Sequence, residues 1–127
     1  MRRPDHFSWL ATAITLLSIA SCAPPVPSGG FDAPDPASRI YAAVGVAEQF
    51  QKDGARPDLK TLQDLIRMLA SADPAARLVA GDTLRMVTGV NFGYRASAPL
   101  AERVAATNRW IRWADALAQT SETKPKA

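Results

Sequence analysis

The sequence predicts an all-α fold: a short array of about four helices behind an export signal and a proline-rich tether. Three observations predict it. From Ile40 onward apolar residues recur at steps of three and four, the spacing of a helical face rather than a strand. Asp-Pro pairs and glycines punctuate the chain where such helices should start and stop. An eight-residue stretch returns in nearly the same form farther along the chain. No segment alternates long enough to make a strand.

Residues 1–21 read as a signal outside the fold. Arg2 and Arg3 precede an apolar run from Phe7 to Ala20, and the small residues Ala20 and Ser21 lead into Cys22. A charged start, a short apolar centre and a small-residue exit make a secretory signal, too short and wrongly flanked for a stable spanning helix. The exit Ile19-Ala20-Ser21-Cys22 resembles the bacterial lipoprotein signal box, an aliphatic residue, two small residues and a cysteine. This resemblance covers the first 22 residues and uses the only cysteine in the chain. It implies lipid addition at the Cys22 sulfur, cleavage before it, and acylation of the new amino terminus. The other reading is an ordinary secretory signal that leaves Cys22 as a free thiol or an intermolecular disulfide. Lipidation implies a membrane-held, periplasm-facing protein, because two or more acyl chains anchor stably. In lipoproteins of this kind an Asp after the cysteine favours the inner membrane. Here the residue is Ala23, which leans towards the outer one.

Removing the signal changes the charge and the available chemistry. The whole chain has 15 basic and 12 acidic residues; losing Arg2, Arg3 and Asp5 leaves 13 and 11, a net of +2. That balance does not suggest a nucleic-acid partner. His6 leaves too, so the mature chain has no histidine. With no His, no free thiol after lipidation, no acidic metal spacing, no phosphate-cradling loop and no nucleophile elbow, we expect no enzyme, metal, cofactor or small-molecule substrate. Asp64, with Asp58 or Asp73 as its companion, reads as a solvated charge on a helix surface.

Residues 22–37 hold half of the ten prolines and are expected to form an extended tether that spaces the domain off the bilayer. Residues 38–119 carry the helices. In the first, Ile40, Val44, Ala47 and Phe50 share a face, and Gly54 with Pro57 stops it. In the second, Asp58 is the N-cap and Leu59, Leu62, Leu65, Ile66 and Leu69 line one side. Asp73 and Pro74 open the third, which should bury Leu78, Leu84 and Val87 before Gly89 ends it. The fourth begins near Pro99, with Leu100, Val104, Thr107, Ile111, Ala114 and Ala118 on one face and Trp110, Trp113 and Leu117 widening it. Residues 120–127 are polar and are expected to fray.

The recurring stretch is Asp35-Pro36-Ala37-Ser38-Arg39-Ile40-Tyr41-Ala42 against Asp73-Pro74-Ala75-Ala76-Arg77-Leu78-Val79-Ala80, with five of eight positions identical at an offset of 73 − 35 = 38 residues. The pair resembles the second helices of HEAT-type repeats, in which an Asp-Pro turn leads into a helix with an early Arg. The stretch from Thr88 to Tyr94, followed by Asn108 to Trp113, is similar to the C-terminal finish of some short bacterial HEAT-repeat proteins. The resemblance spans roughly residues 35 to 115 and implies architecture rather than activity. Only one full helix pair and one preceding helix can be counted, whereas solenoids usually need about three repeats. The Trp-bearing helix is therefore expected to cap one end.

Arg39 and Arg77 sit in a first helical turn, where the macrodipole disfavours a cation by a few tenths of a kcal/mol. We expect structural ion pairs, either with Asp35 and Asp73 four residues back or with a carboxylate of the neighbouring repeat. Trp110 and Trp113 read first as core residues and the Phe92-Gly93-Tyr94 loop as a fold-back over the repeat end, with Trp110, Trp113, Phe92 and Tyr94 as candidate partner contacts in the alternative reading. The run from Arg109 to Trp113 also suits a headgroup surface. Together these features point to a lipid-anchored envelope protein that acts as a protein–protein interaction module. An outer-membrane assembly accessory of the pilot or chaperone type is the alternative, and a partnerless wall spacer is a third.

Overall fold

A computed structural model describes residues 25–123; Cys22 and the signal before it lie outside the described residues. The described chain is all-helical: a 3-10 turn at Gly30–Asp32, then α1 (Pro36–Asp53), α2 (Leu59–Met68), α3 (Pro74–Thr88) and α4 (Leu100–Glu122). Each start and stop has a local cause. Asp35, Asp58 and Asp73 accept hydrogen bonds from the backbone N–H of Ser38, Thr61 and Ala76 at 2.7, 2.8 and 2.8 Å, satisfying amides that have no partner inside the helix. Pro36 and Pro74 occupy first-turn positions where no N–H is needed. Gly54 and Gly89 end α1 and α3 at φ of 69° and 71°, a left-handed conformation in which a side chain would be strained.

The helices pack in the order α1, α3, α2, α4. α1 and α3 run parallel: Gln51 near the end of α1 reaches Met86 near the end of α3, and residues 31–34 before α1 lie against residues 70–72 before α3. This is the arrangement expected of second helices in successive repeats. α2 is the hairpin partner of α3 and supplies most of the core through Leu62, Leu65, Ile66, Met68 and Leu69. Ala43 on α1 and Ala76 and Ala80 on α3 are fully buried, and their small side chains let α1 and α2 approach α3 closely. α4 runs antiparallel to α2, with Arg103 beside Leu69 and Asp115 beside Gln63. It closes the array as a cap.

Four expectations are corrected. The tether is shorter than residues 22–37, because the 3-10 turn packs on α1, Ala33 is buried, and Arg39 holds the carbonyls of Ala33 and Pro34. The ordered domain begins at Gly30. The tail is shorter as well, since α4 continues to Glu122 and includes residues 120–122. Leu78 is 53% exposed rather than in the core. At about 100° per residue, nine residues carry Val87 half a turn around the helix from Leu78, so Val87 and Leu78 cannot face the same side. Asp64 is 4% exposed rather than solvated; Lys60 and Arg67, one turn before and after it, bond its carboxylate, and it shares the lining of one hollow with residues 31–34.

Candidate interaction surfaces

The aromatic residues close the core instead of lining a site. Trp110 is only 1% exposed, with Phe92 edge-on to it at 4.8 Å and Trp113 edge-on at 5.4 Å between ring centroids. Arg109 donates from Nε to the Phe92 carbonyl at 2.9 Å and fixes the loop that carries Phe92 to the helix that carries Trp110. Tyr94 folds onto α3 over Gly81, where a Cβ would stand 3.1 Å from the ring, and its hydroxyl donates to the Leu69 carbonyl at 2.6 Å. Burial holds the phenol above its usual pKa, against the opposing positive charges of Arg103 and Arg77. Trp110 and Tyr94 are thus removed from the candidate contacts: a buried indole and a bonded phenol are worth more to the fold than to a surface. Phe92 and Trp113 keep a half-buried flank each.

The expected ion pairs are also replaced. Among the described residues neither Arg39 with Asp35 nor Arg77 with Asp73 forms a salt bridge. Each Asp is engaged as an N-cap. Each Arg, whose side chain leans towards the helix start, reaches past the cap to the carbonyls of the preceding turn.

Two surfaces remain that the core does not use. The first lies on α3. Leu78 stands in a groove of about 550 Å³ beside Gly81 and Tyr94, ringed by Arg77, Arg85 and Arg95, with Asp82 as the acidic lining residue. Tyr41 on α1 and Met86 on α3 add further exposed apolar surface on the two parallel helices. The second lies between α2 and α4, where two adjoining hollows of about 350 and 270 Å³ share Ala70, Thr107 and Ile111. Leu100, Val104 and Ile111 along its α4 rim are 65%, 48% and 43% exposed.

These surfaces were hard to read from the sequence. The sequence centres the α4 face on Leu100, Val104, Thr107, Ile111, Ala114 and Ala118, with Trp110, Trp113 and Leu117 at its margin, whereas Ala106, Trp110 and Ala114 are the buried set and Leu100, Val104 and Ile111 are exposed. The two stripes lie about a quarter turn apart, and the helix rolls to bury the indole, the larger payload. The signal that could have revealed this is the mutual spacing of Trp110 and the two alanines four residues to either side.

No three of the described residues of metal-ligating type cluster as a metal site. No described helix is long and apolar enough to cross a membrane. Compared with known proteins, the chain matches no family model, no curated protein and no solved structure.

Proposed function

We propose that this protein is a lipid-anchored envelope lipoprotein that works as a protein–protein interaction module, with a HEAT-like helical domain that presents α1 and α3 to its partner. The anchor is Cys22. The observation that carries the interaction reading is Leu78: a large apolar side chain left in the open, in a groove with a Tyr wall and three arginines. An apolar anchor in a pocket with a charged rim is how a small surface concentrates binding energy. Arg77, Arg85 and Arg95 outnumber Asp82 there, so the matching partner segment carries an apolar residue flanked by carboxylates.

The test is a photo-crosslinking residue in place of Leu78 in the full-length protein, in cells, followed by sequencing of the crosslinked peptide. The expected product is one envelope protein joined through an acidic segment, lost in Arg85→Glu/Arg95→Glu. Crosslinks scattered over many proteins, or unaffected by that charge reversal, would overturn the partner reading. Separately, Cys22→Ser should accumulate as an unlipidated, uncleaved precursor, and normal processing of that variant would overturn the anchor. Mislocalisation of the partner when the protein is deleted would favour the assembly accessory over a stable adaptor.

A further inference from the structure

We propose that the α2–α4 edge rests on the bilayer itself, with Leu100, Val104 and Ile111 entering the headgroup boundary of an anionic membrane surface. The proposal rests on the anchor reading for its geometry, and three observations carry it. The first is where the chain enters the fold. Residues 31–34 line one hollow together with Arg67, Ala70 and Ala72 at the end of α2, and Arg39 pins the carbonyls of Ala33 and Pro34. Only residues 23–29 then separate Cys22 from the ordered domain, a leash of at most about 25 Å when fully extended. A lipid at Cys22 therefore keeps the end of α2 close to the bilayer.

The second observation is that this hollow and the apolar groove are neighbours. Arg67 and Ala70 wall both the hollow that residues 31–34 line and the groove between α2 and α4. The edge nearest the anchor is thus the edge with the uncovered apolar stripe. The third is charge. Arg67 and Arg103 line the groove against a single acid among its lining residues, Asp115. An apolar stripe with basic flanks suits an interface with anionic headgroups. Trp110 takes no part, because it is buried.

Membrane contact here also gives the α3 groove a defined presentation. With the α2–α4 edge on the bilayer, Leu78 stays in the aqueous layer.

The experiment uses the purified lipidated protein in vesicles of phosphatidylethanolamine and phosphatidylglycerol, with a nitroxide placed at Val104→Cys, Ile111→Cys or, as reference, Leu78→Cys. Mass spectrometry reports the state of Cys22 independently. The expected result is collision with an aqueous nickel complex at positions 104 and 111 reduced roughly threefold or more relative to position 78, with oxygen collision raised. Equal nickel access at all three positions would overturn the proposal. Protection at 104 and 111 that persists without vesicles would overturn it in favour of a second copy or a self-docked segment. Val104→Asp/Ile111→Asp keeps the helical spectrum, since both side chains are exposed, and keeps the lipidated protein in the membrane fraction. It should restore aqueous collision at a label placed at Leu100→Cys. Vesicle burial of 104 and 111 in a chain whose Cys22 carries no lipid would support the edge while removing the anchor, so the two readings fail separately.

Discussion

Arg39 and Arg77 make the same two bonds one repeat apart. Nη1 of Arg39 donates to the carbonyls of Ala33 and Pro34 at 2.8 and 3.1 Å, and Nη1 of Arg77 to those of Ser71 and Ala72 at 2.9 and 2.8 Å, six and five residues upstream in both cases. Arg103 repeats half of the device on α4, donating from Nε to the Ala98 carbonyl five residues upstream at 3.1 Å. In each helix the Arg lies four residues after the N-cap and holds the carbonyl just before that cap. The guanidinium thereby sets the angle at which the incoming chain meets the helix. Its distance from the helix start also eases the conflict with the macrodipole, because the charge is spent on carbonyls outside the helix.

Replacing Arg77 should therefore cost more than an exposed ion pair. Arg77→Ala loses two bonds to the Ser71-Ala72 turn and the contact with the Ala96 carbonyl at 3.4 Å, and is expected to destabilise by about 1–2 kcal/mol. Arg77→Lys should recover part of this, since one ammonium can donate to both carbonyls of the turn but cannot also hold the Ala96 carbonyl that Nε reaches. Urea unfolding followed by helical circular dichroism measures both. A loss no greater than that of Arg85→Ala, whose pair with Asp82 is exposed on both sides, would show the clamp to be inert.

Leu78 and Leu84 lie on one helix and should separate cleanly. Leu84→Ala opens a cavity at a fully buried site and is expected to cost about 2–5 kcal/mol. Leu78→Ala should stay within about 0.5 kcal/mol of the parent while weakening a partner crosslink made from a photo-reactive residue at the neighbouring exposed Met86. A large stability loss in Leu78→Ala would mean that the groove is core rather than contact.

Trp110 is the closing piece of the core. Trp110→Ala removes the indole between Phe92 and Trp113 and is expected to cost about 3–5 kcal/mol, enough to unfold a domain of this size. Trp110→Phe should retain the fold with a lowered midpoint. A cooperative melt near the parent temperature in Trp110→Ala would show that α4 docks without it.

Stability should fall at both ends of the pH scale. Asp58 is held below the usual carboxylate value of 3.8 by the hydroxyl and backbone N–H of Thr61, and Asp35 chiefly by the backbone N–H of Ser38. Because the folded pKa is the lower one, their contribution is present above about 3.8 and is lost as pH drops through the folded values. Tyr94 behaves in the opposite sense: its folded pKa is raised above 10.0 by burial, so its contribution is full below 10 and declines as pH rises beyond it. Melting temperatures across acid and alkaline ranges check this. Asp58→Asn, which caps without a charge, should flatten part of the acid limb, and Tyr94→Phe part of the alkaline one. Unchanged limbs in those variants would locate the titration elsewhere.

Much of the fold was legible because its boundaries are local. Asp58, Asp73, Pro74, Gly54 and Gly89 act through the backbone of their own turn, so their types alone locate the helix ends to within a residue or two. The 38-residue recurrence was legible for the same reason: Asp-Pro and Arg form one local device, and the device is visible as letters. Asp64 reads as solvated in the sequence because its burial goes with residues 31–34, distant in sequence, which line the same hollow. Leu78 and the α4 stripe were misread because a helix with apolar residues on more than one side can roll. Which side is buried depends on the neighbour.

The sequence by itself determined that the described chain is helical, where α2 and α3 start and α1 and α3 stop, and that α1 and α3 are equivalent. These follow from short-range hydrogen bonding and backbone preference. Only the tertiary structure decided that α4 turns antiparallel to α2, that Trp110 rather than Leu100 or Ile111 enters the core, and that residues 30–34 belong to the domain instead of the tether. The physical reason is competition for one buried volume. The largest side chain with partners on two sides wins it, and the residues displaced by that choice become the protein's surface.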